Sequence, residues 1–190
     1  MISEKNFIKE ARAWDTYKSD YRPVVEFAKV NKLKVIAANA PSRYTNIVTR
    51  KGLTALDGLS KHVRDNFIAP LPVDTMTGKY YDRFMEVMGG HSTPGMNLYQ
   101  SQNFWDATMS WSIAKYLQKN KGFKVLQLNG RFHSDEHLGT LAQLQKRLPK
   151  VKIANISAFS ADDFSNPDWE KYKGLGDYII VSNPALKRTF

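Results

Sequence analysis

His133 is the side chain best suited to chemistry, and it closes the segment Gly130-Arg131-Phe132-His133. The segment follows an apolar run that we predict to be a strand, so the histidine is expected to face the cleft above a sheet. A glycine at this place lets the backbone turn tightly and lets a ligand approach closely. Histidine can ligate a metal ion or a haem iron, or act as a general acid or base. We therefore assign His133 as a candidate catalytic residue and metal ligand.

The same histidine opens a formal H-x-x-E-H pattern with Glu136 and His137, the motif of the inverted zinc proteases. That chemistry needs two histidines on one helical face and a glutamate that activates water. His133 precedes Ser134, which we predict to cap a helix, so the two histidines need not share a face. The structural alternative is a helix capped by Ser134, with acidic residues in its first turn. His137 remains a cofactor-binding candidate.

A second polar loop, Asn39-Ala40-Pro41-Ser42-Arg43-Tyr44, follows the predicted strand Leu33–Ala38. In α/β folds, sites are usually placed where a strand ends in a polar loop that leads into a helix. Arg43 can form a forked contact with a carboxylate or a phosphate, and it is the second catalytic candidate. Tyr44 can form a hydrogen bond or act as a ligand. The alternative is a surface turn with an exposed arginine.

Trp105 and Asp106 lie near the start of the longest predicted helix, in a stretch rich in aromatic residues. An aspartate in such a stretch can orient a histidine or form an ion pair with an arginine. The alternative is a core tryptophan beside a surface aspartate. His62 and His91 are expected to be solvent-exposed and without a function.

Four apolar runs are predicted to be strands, and they alternate with helical patterns. This alternation favours an α/β fold with a mostly parallel sheet flanked by helices, and the helix-rich first third predicts a helical subregion. Four strands are few for this architecture. We therefore expect one domain over residues 1–190 that is part of a larger domain or completes its core by association. The strands are Leu33–Ala38, Phe123–Leu128, Val151–Phe159 and Asp177–Ser182; the helices are Ser3–Arg12, one from Pro23, one from Pro41 to Val48, Gly52–His62, Lys79–Met88, Leu98–Lys119 and Asp135–Leu148.

The composition excludes several classes of protein. The 190 residues contain no cysteine, which excludes disulfide frameworks, cysteine zinc sites and thiol nucleophiles. No apolar run approaches the length that spans a membrane. The formal net charge is +10, but the basic residues are spread along the chain without a dense run, so we expect no nucleic-acid partner. Neither a signal peptide nor a lipid-anchor cysteine is visible in these residues.

Taken together, four segments resemble the ChaN family of haem-binding, iron-regulated lipoproteins, within the wider Tiki/erythromycin-esterase-like superfamily. They occur in the family's order and at similar intervals, and together they cover most of residues 15–160. The resemblance depends on the ordered set, because no single segment is diagnostic. The segments are Asp20–Ala28, Ile36–Tyr44, Trp105–Met109 with Ser112–Ala114, and Asn129–Asp135.

The resemblance implies an α/β fold and a site built from G-x-x-H segments and an arginine. His133 falls on the second such segment, and Arg43 falls on the arginine. It also implies haem bound between the two subunits of a homodimer, with basic side chains suited to the propionates of haem or to another small acidic ligand. The cofactor-binding residues are then Asn39, Arg43, Tyr44, Trp105, Asp106, His133 and His137.

The haem ligand itself stays open at this point. Tyrosine is one of the residue types that ligate haem iron, and the candidates are Tyr44, Tyr80, Tyr81 and Tyr99. The function implied is haem binding in haem or iron acquisition. The alternative is a metal-dependent hydrolase of the same superfamily, in which a divalent metal ion is the cofactor. In that case His133 is a metal ligand or base and Arg43 stabilises an oxyanion or binds a substrate carboxylate.

The family opens with a strand that ends in G-E-x-H, preceded by a signal peptide and a lipid-attachment cysteine, and none of these is visible here. We therefore expect the chain to be N-terminally incomplete. We expect the full-length protein at the bacterial cell envelope, as an outer-membrane lipoprotein or in the periplasm. Its contact with the membrane is expected only through a lipid anchor that this chain does not carry.

Overall fold

Helices dominate the computed structural model of the chain, which describes residues 3–11, 13–91 and 95–186. A small parallel sheet completes a mixed α/β architecture, which confirms the predicted fold class. Short 3₁₀ and π turns connect the longer elements. The elements are α1 (Glu4–Ala11), α2 (Arg22–Val30), α3 (Ser42–Lys51), α4 (Lys61–Asn66), α5 (Lys79–Val87), α6 (Leu98–Lys119), α7 (Gly139–Arg147), β1 (Ile156–Ser160), α8 (Trp169–Tyr172) and β2 (Tyr178–Ser182).

The longest helix, α6, packs against both α3 and α7. Its apolar side chains are therefore buried, including Phe104 and Met109, and so are several polar ones such as Asn103 and Asp106. A polar group inside a protein must find a hydrogen-bond partner there, because burial without one is costly. The helix thus carries buried polar side chains into the interior, where neighbouring elements must supply their partners.

Two apolar clusters form the core along this helix. The larger joins α3 to the first half of α6 and contains Val48, Leu56 and Phe104. The smaller joins the second half of α6 to α7 and contains Ile113 and Leu144. Burial of each large side chain stabilises the fold by about 1.5–3 kcal/mol, so most of the apolar stabilisation lies in the helical layer.

The sheet contains β1 and β2, which pair in parallel with Ile156 opposite Tyr178 and Ser160 opposite Ser182. The strand predicted at the end of the chain is confirmed. The strand predicted at Val151–Phe159 is paired only from Ile156, because its first half packs on the smaller core instead of on a neighbouring strand.

The other two predicted strands are wrong: Leu33–Ala38 and Phe123–Leu128 belong to no sheet and no helix within the described residues. Their apolar side chains are largely exposed, Val35 by 59% and Leu126 by 79%. A strand forms only where a neighbour pairs with its N–H and C=O groups. An apolar run indicates that burial would be favourable, but it does not supply that neighbour. We call these two stretches the unpaired segments.

Several predicted helices are confirmed, with α6 at its predicted bounds. The helix predicted over Gly52–His62 is wrong as a single element. The stretch contains a 3₁₀ turn over Leu53–Gly58 and then the start of a separate helix, α4. The Ser60 side chain caps α4 by accepting a hydrogen bond from the Val63 N–H. Arg12, at the end of the first predicted helix, lies outside the described residues. Over the described ranges, no helix is both long and apolar enough to cross a bilayer.

Candidate functional site

The centre of the candidate site is a hydrogen bond between His133 and Asp106. Nδ1 of His133 lies 2.7 Å from Oδ1 of Asp106, whose side chain is fully buried in α6. A carboxylate oxygen accepts hydrogen bonds, so Nδ1 is the donor in this pair, and in the neutral form of the ring Nε2 then carries the lone pair. In the described part of the chain, Nε2 of His133 has no hydrogen-bond partner. It is also absent from the buried side-chain atoms that lack one, so it is accessible to solvent. The histidine side chain is 16% exposed, so Nε2 can meet a ligand.

Asp106 is held by donors from two helices and from the 3₁₀ turn that carries His133. The Tyr80 hydroxyl of α5 donates to Oδ2, and the Thr140 hydroxyl of α7 donates to Oδ1 at 2.8 Å. These two bonds and the histidine compensate the burial of the carboxylate charge. Thr140 is also the second residue of α7, whose positive N-terminal end favours the negative charge. Each oxygen of the Asp106 carboxylate therefore accepts at least one hydrogen bond.

The Tyr80 phenol is fully buried and belongs to the hydrogen-bond network around Asp106, which we call the network. Its oxygen accepts a hydrogen bond from Gln102 Nε2 at 2.9 Å while its proton goes to Asp106. Burial, and then the charge of Asp106, raise the pKa of this phenol far above its usual value. Tyr80 thus stays protonated and keeps donating to the carboxylate at any physiological pH.

Gln102 Nε2 also lies 3.0 Å from Nδ1 of His133. Both nitrogens are donors when Nδ1 is protonated, so this contact is a packing contact without a hydrogen bond. The carboxylate determines the tautomer, because a charged acceptor 2.7 Å away is the stronger partner. Gln102 then supports the site by holding the Tyr80 oxygen.

The chain after His133 turns sharply, and a glycine makes the turn fit. Glu136 and His137 adopt positive φ angles of 60° and 58°, and Gly139 follows with 54°. A Cβ atom on Gly139 would lie 2.7 Å from the His133 carbonyl oxygen and 3.1 Å from Asp106 Oδ1. Only glycine allows α7 to begin this close to His133 and Asp106, the pair that we call the dyad.

The helix predicted over Asp135–Leu148 therefore starts later than expected. Its left-handed residues break the helical hydrogen-bond pattern, so α7 begins at Gly139. Ser134 is not the cap of this helix: its hydroxyl accepts a hydrogen bond from Asn129 Nδ2 at 3.0 Å. Sequence patterns that rely on capping residues do not detect a succession of positive φ angles at non-glycine residues.

An ionic cluster fixes the same turn to the sheet and to α5. The buried Asp135 carboxylate pairs with Arg131 at 2.7 Å and accepts a hydrogen bond from the Ser157 hydroxyl of β1, also at 2.7 Å. Glu136 lies 3.0 Å from Lys79 and 3.6 Å from Arg83, both on α5. The turn that follows His133 is thereby bound to β1 through Asp135 and to α5 through Glu136.

Aromatic rings and cations border the histidine. The Trp105 ring meets the His133 ring edge-on, with the centroids 6.1 Å apart. Phe132 packs against the rings of Tyr80 and Phe84, and the Arg83 guanidinium lies 5.4 Å from the Phe132 ring centroid. The surroundings of His133 thus combine flat apolar surfaces with positive charge.

The H-x-x-E-H pattern does not converge on one point. His137 pairs with Asp177 at 3.2 Å, at the surface, and has no hydrogen bond to His133 or Asp106 among the described residues. Glu136 is engaged by its two cations rather than by a histidine. Among the described residues, no group of three or more histidine, aspartate or glutamate side chains could hold a metal ion. The zinc-protease interpretation is therefore not supported, and the structure gives no role in the network to His137.

The loop Asn39–Tyr44 is not joined to the dyad by any hydrogen bond in the described part of the chain. The Asn39 side chain accepts a hydrogen bond from the N–H of the next residue. Arg43 is exposed, with its guanidinium 4.8 Å from the Tyr44 ring centroid, and Tyr44 is buried in the larger core. Of the predicted residues, the structure brings together Trp105, Asp106 and His133.

Sequence reasoning missed Gln102 and Thr140, and it considered Tyr80 only as a haem ligand and not as a donor to Asp106. Gln102 and Asp106 are four residues apart on one helix and share a face, which is the one signal that pointed to Gln102. No pattern in the sequence near Tyr80 indicates that it donates to Asp106, because Tyr80 reaches the site from another helix. Of the four tyrosines considered as ligands, Tyr80 and Tyr44 are buried and the Tyr99 hydroxyl donates to the Met76 carbonyl, whereas Tyr81 is 43% exposed.

The comparison with protein families adds an independent observation. The sequence model of the family described as "Haem-binding uptake, Tiki superfamily, ChaN" matches residues 1–144, which include the whole dyad and most of α7. No curated protein and no solved structure matches the chain.

Proposed function

The chain belongs to the ChaN family of haem-binding uptake proteins in the Tiki superfamily, and we propose that it binds haem through Nε2 of His133. The observation that supports this ligand is the bond from Nδ1 to the buried Asp106, which leaves the Nε2 lone pair directed away from the network. Haem binding is the function to which the family assigns the chain; the iron ligand is the part that we add.

The residues around His133 suit haem chemically. Haem supplies an iron with axial coordination positions, a flat apolar ring and two carboxylates. A neutral imidazole nitrogen is a common axial ligand, and the Trp105 and Phe132 rings offer apolar surface beside it. Lys79 and Arg83 carry the positive charge that propionates require. These cations also pair with Glu136, which a propionate would have to replace or share.

We further propose that the protein acts in haem or iron acquisition at the bacterial cell envelope, as a homodimer with haem between its subunits. The resemblance of the sequence to haem-binding lipoproteins supports this role. The 16% exposure of the His133 side chain supports it as well, because a ligand bound there could also contact a second protomer. Sedimentation of the chain with and without haem tests the assembly: haem-dependent dimers are expected, and a haem-bound monomer would contradict the shared site.

A haem titration tests the ligand. We expect the wild-type chain to shift the Soret band of ferric haem. We expect His133→Ala to weaken binding by at least about 10–100-fold, which is the loss typical when only a ligand's hydrogen-bond partner is removed. His137→Ala is the matched control, because His137 lies four residues away and outside the network. An unchanged spectrum with the wild-type chain would refute haem binding. A Soret shift that survives in His133→Ala but is lost in Tyr81→Phe would move the ligand to the tyrosine.

The second candidate function, a metal-dependent hydrolase, is favoured by one observation. A histidine oriented by a buried aspartate is also the arrangement of a general base. Arg43, proposed as the oxyanion residue, has no bond to this dyad among the described residues. Thermal unfolding with manganese, cobalt or zinc distinguishes the two functions: a raised midpoint that depends on His133 favours the hydrolase, and an unchanged midpoint counts against it.

A further inference from the structure

We propose that the two unpaired segments, Leu33–Ala38 and Phe123–Leu128, form the docking surface for one extended strand of a partner polypeptide. The partner strand is apolar along its length and carries acidic side chains at the end that lies beside Lys34 and Lys124. This inference is independent of the proposed function, because none of these residues belongs to the network around Asp106.

The first observation concerns the backbone of the two segments. From Lys34 to Ala38 and from Lys124 to Leu128, no N–H or C=O group forms a hydrogen bond with any other described backbone group. A row of unpaired backbone groups is the feature with which an added strand pairs. In this mode of recognition the main-chain hydrogen bonds supply the affinity, and the side chains beside them select the partner.

The second observation is that Phe123–Leu128 already has the burial pattern of a strand. Val125 packs against the smaller core, and the Gln127 side chain contacts α6. Leu126 and Leu128, which alternate with them, are 79% and 54% exposed. The side chains of a strand point alternately to its two faces. One face of the segment therefore lies on the helical layer, and the other is an apolar surface that the described residues leave in solvent.

The third observation places both segments against one side of α6. The carbonyl oxygen of Ala38 accepts a hydrogen bond from the Ser112 hydroxyl at 3.0 Å. Nε2 of Gln127 lies 3.5 Å from Sδ of Met109. Ser112 and Met109 are three residues apart on α6, so they are neighbours on its surface. The two segments thus approach one turn of α6, where a single added strand is within reach of both.

Charge determines which strand we expect there. Lys34 and Lys124 are each the second residue of their segment, both are exposed, and neither has an ion pair among the described residues. The chain has a formal net charge of +10, so a second copy would bring more positive charge to this surface. Acidic side chains on a partner strand complement the two lysines and favour that partner over others. Within the 190 residues, no run outside the described ranges exceeds four residues, which is shorter than an ordinary strand of about five or six.

The test is the fluorescence anisotropy of a labelled synthetic peptide that is titrated with the full chain. The peptide has a core of about five valine and isoleucine residues, the length of an ordinary strand, and glutamates at both ends, so that an acidic end meets the lysines in either direction. We expect saturable binding, and binding about tenfold weaker when lysines replace the glutamates. Methylation of alternate core nitrogens removes the donors that pair with a strand, and it should abolish binding.

Two variants and a matched control locate the surface. Val35→Lys and Leu126→Lys each replace an exposed apolar side chain of a segment, and we expect each to weaken binding of the glutamate-flanked peptide by about tenfold or more. An added lysine attracts the glutamates, so weaker binding reports lost apolar contact rather than charge. Val87→Lys is the control, because Val87 is 73% exposed at the end of α5 and lies outside both segments. Lys124→Glu should reduce the preference for the glutamate-flanked over the lysine-flanked peptide.

Several results would overturn the proposal. Absence of saturable binding, or equal binding of the methylated peptide, would show that the segments do not pair with a strand. A discrete dimer of the chain alone that Leu126→Lys dissociates in sedimentation would assign the surface to a second copy instead. If the variants do not fold, hydrogen exchange of the wild-type chain decides: the glutamate-flanked peptide should slow exchange of the amides of both segments, and unchanged exchange there would contradict docking.

Discussion

The network around Asp106 and the unpaired segment Phe123–Leu128 are opposites in their chemistry. In the network, charged and polar side chains lie inside the protein, and each has a partner. In the segment, Phe123 and Leu126 are apolar and lie largely in solvent. The network includes residues of α6 and the segment follows α6 along the chain, yet burial follows the available partners rather than polarity. The site is therefore supported by the helical layer, and we expect the unpaired segments to contribute little to its stability.

The largest expected effect compares a core side chain with an exposed one. Phe104→Ala removes a fully buried ring from the larger core, and we expect it to lower the free energy of unfolding by about 3–5 kcal/mol. Leu126→Ala removes an exposed side chain and should change it by less than about 0.5 kcal/mol. Urea unfolding followed by circular dichroism measures both. Equal losses of unfolding free energy in the two variants would show that Leu126 is packed in solution. The contrast between the buried network and the exposed segment would then be wrong.

The next effect compares two glycines with positive φ angles. Gly139→Ala places a Cβ atom against the His133 carbonyl oxygen, and we expect a loss of about 2–4 kcal/mol together with weaker haem binding. Gly174→Ala is the matched control, because its φ is +86° and no atom lies within 4 Å of the added Cβ. It should cost only about 1–2 kcal/mol, for the left-handed backbone alone. Equal haem affinity in both variants would argue against close contact at the dyad.

A smaller effect concerns alkaline pH. The raised pKa of Tyr80 means that folding favours the neutral phenol. This contribution to stability is fully present below the unfolded-state pKa of about 10 and is lost as the pH rises above it. Urea unfolding between pH 8 and 11 should therefore show a steeper fall for wild type than for Tyr80→Phe. Tyr81→Phe is the control, since its ring is exposed, and it should keep the wild-type slope.

The smallest effect on stability is expected in the unpaired segments. Val35→Lys and Leu126→Lys place a charge on exposed positions, so the free energy of unfolding should change by less than about 0.5 kcal/mol. Self-association at high concentration should fall, because exposed apolar chain favours aggregation. Light scattering of the purified variants measures this. A destabilised variant that scatters more would show that these side chains are buried in the native protein.

Local patterns predicted those parts of the fold that local physics determines. The heavy apolar stripe of α6 gave its bounds, and Asp106 was recognised as a residue that could orient a histidine. The partnership with Tyr80 joins residues of different helices, so no spacing rule indicates it. Leu33–Ala38 was wrong for a related reason: apolar composition expresses a tendency to be buried, whereas a strand also requires a neighbour. The predicted start of a helix at Asp135 was wrong because positive φ angles at non-glycine residues, here Glu136 and His137, leave no local signature.

The most direct test of the account is electron paramagnetic resonance of the ferric haem complex in wild type, His133→Ala and His137→Ala. The account predicts a histidine-ligated signal that is lost in His133→Ala and kept in His137→Ala. Among the histidines that the structure describes, only His133 is held at Nδ1 by a carboxylate with Nε2 left without a partner. A phenolate-ligated signal that persists in His133→Ala and disappears in Tyr81→Phe would contradict it.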